Sequence, residues 1–180
     1  MSQELLELIP EFDLIQDADL RATCVRTWQE GMKGGGWSAA DLTQMPFTLL
    51  IPDCPVSFVD HTRAVTLNCI GVADAFEEVY GDRNPINRDH LIAGALIHDV
   101  GKLLEYTKVD GKTVKSEFGA KLRHPFSGVA LAAQQGVPAE VLHMIAAHSR
   151  EGDLVQRSRE AIILHHADFT NFETLKLGVS

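Results

Sequence analysis

The sequence predicts an all-α fold, a helical bundle with one small β-hairpin and an N-terminal lead-in of helical and extended pieces. Three observations predict it: apolar residues at helical spacing, capping residues at the expected helix starts, and a single hairpin-type turn signal. The 180 residues, 45% hydrophobic and 23% charged, match one ordinary globular domain. This composition argues against disorder, collagen-like repeats and a disulfide scaffold.

Residues 1–55 are expected to form the lead-in. Within it, Leu20 to Met32 favours a helix, and residues 33–36, Lys-Gly-Gly-Gly, indicate a flexible linker. Ser38, with Asp41 three residues later, is typical of a helix N-cap. The sequence leaves two roles open for this segment, a lid over a site or a contact between two copies of the chain.

From residue 56 onward the pattern is helical. In the first helix, which is predicted to end near Gly81, residues spaced by four, four, three and four line one face: His61, Val65, Cys69, Val72 and Phe76. Asn87 or Asp89 is expected to cap a second helix. Its body, residues 91–97, is apolar all round, which predicts burial on every side.

The remaining elements follow from turn and capping signals. Asp110-Gly111 lies between two short strand-like segments and predicts a β-hairpin. Further helices are predicted at 125–135, 138–149 and 157–175, with Pro138 in a first turn and Ser158 or a neighbour as a cap.

The apolar second helix leads directly into His98-Asp99. A buried aspartate is costly unless it is paired or bound to a metal, so this pair is either a hydrogen-bonded helix cap or part of a metal site. Four other ligand-type side chains lie at the margins of apolar segments: His61, His124, His148 and Asp168. Imidazoles and carboxylates together suit Fe, Mn, Zn, Co or Ni rather than a calcium cage.

The order of these residues, with Gly101-Lys102 just after the pair, resembles the HD-domain superfamily of metal-dependent phosphohydrolases over roughly residues 56–172. The resemblance implies an HD domain at residues 56–180 that binds two divalent transition-metal ions, with Asp99 bridging them. The six ligand positions that it implies are His61, His98, Asp99, His124, His148 and Asp168.

The same resemblance implies hydrolysis of a phosphate mono- or diester of a nucleotide or similar small metabolite, by attack of a hydroxide that bridges the two metals. Asp99 and Lys102 are then the candidate catalytic residues, and Lys102 would hold a phosphoryl oxygen or assist the leaving group. An ammonium that reaches solvent is the alternative for Lys102. Candidate substrate-binding residues beside the ligands are Arg123, Ser127 and Arg150.

Other interpretations stay open. His165 and His166 are close to Asp168 in sequence and could donate a hydrogen bond to a metal ligand. His143 is expected to be structural. The resemblance also implies an alternative, a mixed-valence di-iron oxygenase that uses the same six ligands to cleave a C–C or C–P bond. A third class is a non-catalytic nucleotide-binding or regulatory HD domain.

Charge and cysteine content restrict partners and location. With 16 Lys and Arg against 25 Asp and Glu, the net charge of −9 argues against an extended nucleic-acid surface. A small anionic phosphorylated substrate remains compatible, because bound metals make a pocket locally cationic. No apolar run approaches the length of a membrane span, and no signal-peptide pattern is present. Cys24, Cys54 and Cys69 form no CxxC pair, which favours a reducing, cytoplasmic setting.

Overall fold

A computed structural model describes residues 2–178 of the chain. The lead-in contains three α-helices and one 3-10 helix: α1 (Ser2–Leu8), the 3-10 helix Pro10–Leu14, α2 (Ala18–Gly35) and α3 (Ala39–Leu42). The following region begins with α4 (Phe58–Tyr80), a 3-10 helix (Gly81–Arg83), α5 (Arg88–Ile97) and α6 (Lys102–Glu105). It continues with β1 (Tyr106–Val109), β2 (Lys112–Lys115), α7 (His124–Gln134), α8 (Ala139–Ala147), a 3-10 helix (Arg150–Leu154) and α9 (Arg159–Leu177).

The predicted helical bundle with one hairpin is confirmed. The two strands pair antiparallel, from Tyr106 opposite Lys115 to Val109 opposite Lys112. Asp110 and Gly111 both have positive φ, 49° and 78°, as a type I′ hairpin turn requires. Within residues 2–178 this hairpin forms the whole sheet.

The predicted caps explain where several helices begin. The side chain of Asn87 accepts a hydrogen bond from the backbone of His90 and so caps α5. Ser158 caps α9 in the same way. Ser38 and Asp41 form a reciprocal capping box at α3. Pro138 occupies the N-cap position of α8, one residue earlier than the first-turn position predicted for it.

The prediction of a flexible linker at residues 33–36 is wrong. Helix α2 continues through Gly35, and Gly36 ends it in the left-handed conformation with φ 72°. The backbone N–H of Trp37 then bonds back to the carbonyl of Met32 at 2.8 Å, as in a glycine C-cap motif. A Cβ on Gly35 would lie 1.9 Å from the carbonyl oxygen of Leu103, so the glycine permits close packing here.

The lead-in shares a hydrophobic core with the helices that follow. One cluster of buried side chains joins Trp28 and Met32 of α2 to Phe58 of α4, Leu96 of α5 and Leu103 of α6. A second, smaller cluster lies between α4, α5, α8 and α9. The six predicted ligands lie on or directly after α4, α5, α7, α8 and α9.

The longest helices described are α4 with 23 residues, α9 with 19 and α2 with 18. In the part of the chain that the structure describes, none of them combines the length and the apolar character needed to span a bilayer.

Candidate metal centre

Helix ends position five of the six predicted ligands. His98 and Asp99 follow α5, and His148 follows α8 directly. His124 is the first residue of α7, and His61 lies in the first turn of α4. Asp168 comes from within α9. Five segments that are distant in sequence thus place ligand-type atoms around one point.

A glycine allows two of these segments to approach each other. A Cβ on Gly101 would lie 2.1 Å from the carbonyl oxygen of His124 and 2.6 Å from the backbone nitrogen of Gly128. Neither backbone atom could move away easily, so a side chain at position 101 would push α7 outward. Gly101 therefore keeps His124 within reach of Asp99.

The two carboxylate oxygens of Asp99 face different groups of histidines. Oδ2 lies 3.4 Å from His61 Nε2 and 3.3 Å from His98 Nε2. On the same side, Oδ1 of Asp168 lies 3.2 Å from His61 Nε2 and 3.9 Å from His98 Nε2. These four residues, which we call the first side of the centre, supply two imidazoles and two carboxylates.

The second side of the centre is formed by Asp99, His124 and His148. Oδ1 of Asp99 lies 3.3 Å from His124 Nε2 and 3.5 Å from His148 Nε2. In each of the trios His61, His98, Asp99 and Asp99, His124, His148, the potential ligand atoms lie within 4.8 Å of one another. Donor atoms about 2.0–2.3 Å from one ion have separations of this order.

The hydrogen bonds of two histidines determine which ring nitrogen is free. His98 Nδ1 lies 2.7 Å from the carbonyl oxygen of Ala95, and His148 Nδ1 lies 2.7 Å from that of Ile145. Because a carbonyl oxygen only accepts, each Nδ1 carries the hydrogen and each Nε2 has a free lone pair. Among the described residues, both Nε2 atoms are buried without a hydrogen-bond partner, as are both ring nitrogens of His61.

These orphaned nitrogens fit a metal. Leaving a buried acceptor unsatisfied costs about 1–3 kcal/mol, and native structures rarely keep several such atoms together without a use for them. Four imidazoles and two carboxylates could hold divalent transition-metal ions, as the donor types predict.

A carboxylate supports the ring of His124. Oε2 of Glu105 lies 2.8 Å from His124 Nδ1 and accepts the backbone N–H of His124 at 2.6 Å. Burial alone would raise the pKa of Glu105, but its bonds to His124 lower it to about 2. Burial lowers the pKa of His124 to about 4, against the opposing effect of Glu105. At neutral pH the ring is therefore neutral, the form that binds metals.

Lys102 lies inside the centre rather than in solvent. Its ammonium donates to Asp99 Oδ2 at 2.5 Å and to the carbonyl oxygen of Phe47 at 2.7 Å. Burial works against the charged forms of both side chains. Their mutual attraction nevertheless raises the pKa of Lys102 and holds the pKa of Asp99 well below its usual range. His98 and other neighbouring histidines further lower the pKa of Asp99.

Besides Lys102, the three other candidate substrate-binding residues lie in different environments. Ser127 is buried, and its hydroxyl lies 3.4 Å from the carbonyl oxygens of Gly101 and His124. Arg123 is exposed and pairs with Glu151 at 3.2 Å. Arg150 is exposed at the start of the 3-10 helix after His148.

Three of the four remaining histidines differ in their distance from the centre. His165 Nδ1 lies 2.6 Å from the carbonyl oxygen of His148, so it contacts the backbone of a candidate ligand. His166 is exposed. His143 Nε2 accepts the backbone N–H of Ser158 at 3.2 Å, a contact away from the centre.

Two residues in contact with the centre were not singled out from the sequence. The ring of Phe47 stacks on that of His61, with centroids 4.1 Å apart and planes inclined by 19°. Its position in the proline-rich part of the lead-in gave no signal. Glu105 did have a signal in the sequence: an acidic residue directly after the apolar pair Leu103-Leu104 is expected to need a buried partner.

Comparison with known proteins agrees with this geometry. Residues 58–170 match the family described as HD domain. A 111-residue stretch is 36% identical to dihydroneopterin 2',3'-cyclic phosphate phosphodiesterase of Methanocaldococcus jannaschii. The aligned stretch covers 61% of this chain and 44% of that relative, so the chain spans less than half of the relative's length. No solved structure gives a significant match.

Proposed function

Because the chain belongs to the HD domain family, we propose that it is a metal-dependent phosphohydrolase that cleaves a phosphate ester of a small metabolite. We further propose that the centre holds two divalent ions, with His61, His98 and Asp168 as ligands on the first side, His124 and His148 on the second, and Asp99 shared.

One observation carries the proposal. The two oxygens of Asp99 point to separate groups of imidazoles, and three of those four imidazoles have an Nε2 lone pair or ring nitrogen with no partner in the described chain. A helix-capping Asp would not need such neighbours. A carboxylate that binds two ions, one through each oxygen, would need imidazole ligands near both oxygens, and Asp99 has them.

The ions, when bound, would act as Lewis acids on a phosphoryl oxygen and lower the pKa of a bound water towards neutrality. Lys102 is proposed to contact the substrate. An ammonium has three donors, and two are used by Asp99 and Phe47, which leaves one for a phosphoryl or leaving-group oxygen. Its positive charge, like that of the ions, also favours an anionic substrate.

We propose a phosphodiester, and in particular a cyclic phosphate of a small metabolite, as the preferred substrate. The support is the similarity to a phosphodiesterase that acts on dihydroneopterin 2',3'-cyclic phosphate. Arg123 and Arg150, exposed cations next in sequence to His124 and near His148, are proposed to contact the substrate's outer part. Ser127 is proposed to assist through the backbone that it contacts.

For the lead-in we propose the role of a fixed wall over the first side of the centre, with residues 56–180 as the HD domain. The support is the stacking of Phe47 on His61. Three free cysteines support a reducing compartment such as the cytoplasm.

Elemental analysis of the isolated protein, followed by a panel of phosphomonoesters, linear diesters and 2',3'-cyclic nucleotides, tests the function. We expect about two divalent ions per chain and hydrolysis of a diester. Asp99→Asn should lower activity by at least roughly 10³-fold, since a metal contributes several kcal/mol to the transition state. Asp110→Asn, at the exposed hairpin turn, is the matched control.

Three outcomes would contradict the proposal. Hydrolysis that survives removal of all metal would show that the centre is not responsible. Two irons with a mixed-valence paramagnetic signal and O₂ consumption, without phosphoester hydrolysis, would instead identify the oxygenase. Tight nucleotide binding without turnover under any metal would identify a regulatory domain.

A further inference from the structure

We propose that Glu105 is a positioning residue that sets metal affinity on the second side of the centre independently of the first. The inference rests on the proposed function only in taking His124 as a metal ligand. Glu105 lies outside the six ligand positions and contacts the centre through His124 alone among them.

The contact fixes the ring of His124 at two points. One oxygen of Glu105 receives both the backbone N–H and the ring Nδ1–H of His124, at 2.6 and 2.8 Å. The bond to Nδ1 assigns the hydrogen to that nitrogen and directs the Nε2 lone pair towards Asp99 Oδ1, 3.3 Å away. The ring therefore has one orientation and one tautomer, both suited to binding an ion.

This support differs from that of the other candidate ligands. His98 and His148 donate Nδ1–H to a carbonyl oxygen of their own helix, three residues earlier in the chain. His124 donates to a charged carboxylate from another segment. A charged acceptor makes the imidazole a stronger donor of its Nε2 lone pair than a neutral one does. The second side should therefore depend on Glu105, whereas the first side has no contact with it.

Glu105 is itself held firmly. Its second oxygen lies 3.3 Å from the ammonium of Lys115 on strand β2, and its carbonyl oxygen accepts the backbone N–H of Ser116. A Cβ on Gly119 would lie 2.2 Å from that carbonyl oxygen, so the segment after the hairpin packs tightly on this residue. The β-hairpin thereby gains a role, since it fixes the carboxylate that orients His124.

A purely structural role would give a different result. Glu105 also caps the start of α7 through the backbone N–H of His124. If capping were its whole contribution, replacing it would lower the free energy of unfolding and leave the affinity of each ion unchanged.

The test is a titration of the metal-free protein with Co²⁺. Calorimetry and visible absorption monitor the titration and give a separate affinity for each of the two bound ions. Glu105→Gln keeps an acceptor but removes the charge. We expect the second-side ion to bind about 10- to 100-fold more weakly and the first-side ion to change less than about twofold. The matched control is Glu11→Gln, an equally buried carboxylate that pairs with Arg63 and contacts no candidate ligand.

A second variant keeps the inference testable if Glu105→Gln does not fold. Glu105→Asp keeps the charge but is one methylene shorter, and it should weaken the second-side ion in the same direction. Equal affinities in wild type and variant, or an equal loss at both sides, would overturn the inference. So would a wild-type protein that binds one ion with an affinity unaffected by His124→Ala. By contrast, a wild-type protein that binds two Co²⁺ ions and hydrolyses no phosphoester would contradict only the proposed function.

Discussion

The lead-in and the region that matches the HD family bury polar groups in opposite ways. In the lead-in, the indole N–H groups of Trp28 and Trp37 donate to the carbonyl oxygens of Leu96 and Leu103, both at 2.8 Å. In the matched region, buried ring nitrogens of His61, His98 and His148 have no partner among residues 2–178. One part of the molecule satisfies its buried polar atoms, and the other keeps lone pairs available.

This difference shows how stability and function are divided. Each unsatisfied nitrogen costs about 1–3 kcal/mol, and the two carboxylates beside them add mutual repulsion until cations bind. The packing of the lead-in onto α4, α5 and α6 helps to offset this cost. Substitutions in the lead-in should therefore lower stability, and substitutions at the centre should lower metal binding, except at the few residues where the two parts touch.

The largest effect on stability is expected at one such contact, between α2 and α6. In Gly35→Ala the new Cβ would lie 1.9 Å from the carbonyl oxygen of Leu103 and 2.5 Å from Nε1 of Trp37, two atoms that now share a hydrogen bond. We expect the free energy of unfolding, measured by urea denaturation, to fall by about 3 kcal/mol.

Gly34→Ala is the matched control for this prediction. Its Cβ would meet the end of the flexible Leu104 side chain at 3.0 Å, and alanine favours a helix by up to about 1 kcal/mol over glycine. We expect no loss of stability. If both variants lose stability equally, the close approach at Gly35 does not matter and the two parts are joined less tightly than the packing indicates.

These glycines also show what the sequence could and could not predict. Helical spacing and caps at Asn87 and Ser158 depend on neighbouring residues, so the helices and the hairpin were predictable. Three glycines in a row favour a linker on local grounds alone. In the fold, Gly36 ends α2 in the left-handed conformation, and Gly35 permits close packing on Leu103, a residue distant in sequence, so this packing carries no local signal.

The same limit applies to the candidate centre. The order and spacing of His61, His98-Asp99 and the later ligand-type residues predicted a cluster, because they are specific to a known family. The supports of that cluster were not predicted. Phe47 reaches the centre from a segment outside the matched region, and the partner of Glu105 becomes evident only when the hairpin folds back.

A smaller effect is expected where the lead-in touches the centre directly. His61 Nε2 faces the carboxylates of Asp99 and Asp168, whereas its Nδ1 has no partner in the described chain, and the stack with Phe47 holds the face of the ring. Phe47→Leu should weaken the first-side ion by about tenfold, or about 1.4 kcal/mol, in the same Co²⁺ titration, with the second-side ion unchanged. Phe12→Leu removes a similar volume from the lead-in core and should change stability alone. Equal Co²⁺ affinities in the two variants would contradict a wall role for the lead-in.

The smallest effect is expected at the exposed contact between the lead-in and the hairpin. Asp41 bonds to Lys108 of β1 and to Ser38, and these bonds lower its pKa from 3.8 to about 2. Because the folded protein binds this proton less readily than the unfolded chain, Asp41 stabilises the fold above pH 3.8, and the effect disappears as the pH falls towards 2. Asp41→Asn should therefore lower the free energy of unfolding by about 1 kcal/mol or less at pH 7, since exposure screens the charge.

The pH dependence distinguishes this contact from the buried contacts of the lead-in. Urea denaturation of wild type and Asp41→Asn should give a difference at pH 7 that shrinks in 1 M NaCl and closes near pH 2. Lys108→Gln should reproduce most of this difference, because it removes the other partner of the ion pair between Asp41 and Lys108. The loss from Gly35→Ala arises from packing and should be unaffected by salt. A difference at Asp41 that persists at pH 2 would mean that its hydrogen bonds, and not its charge, join the lead-in to the hairpin that supports Glu105.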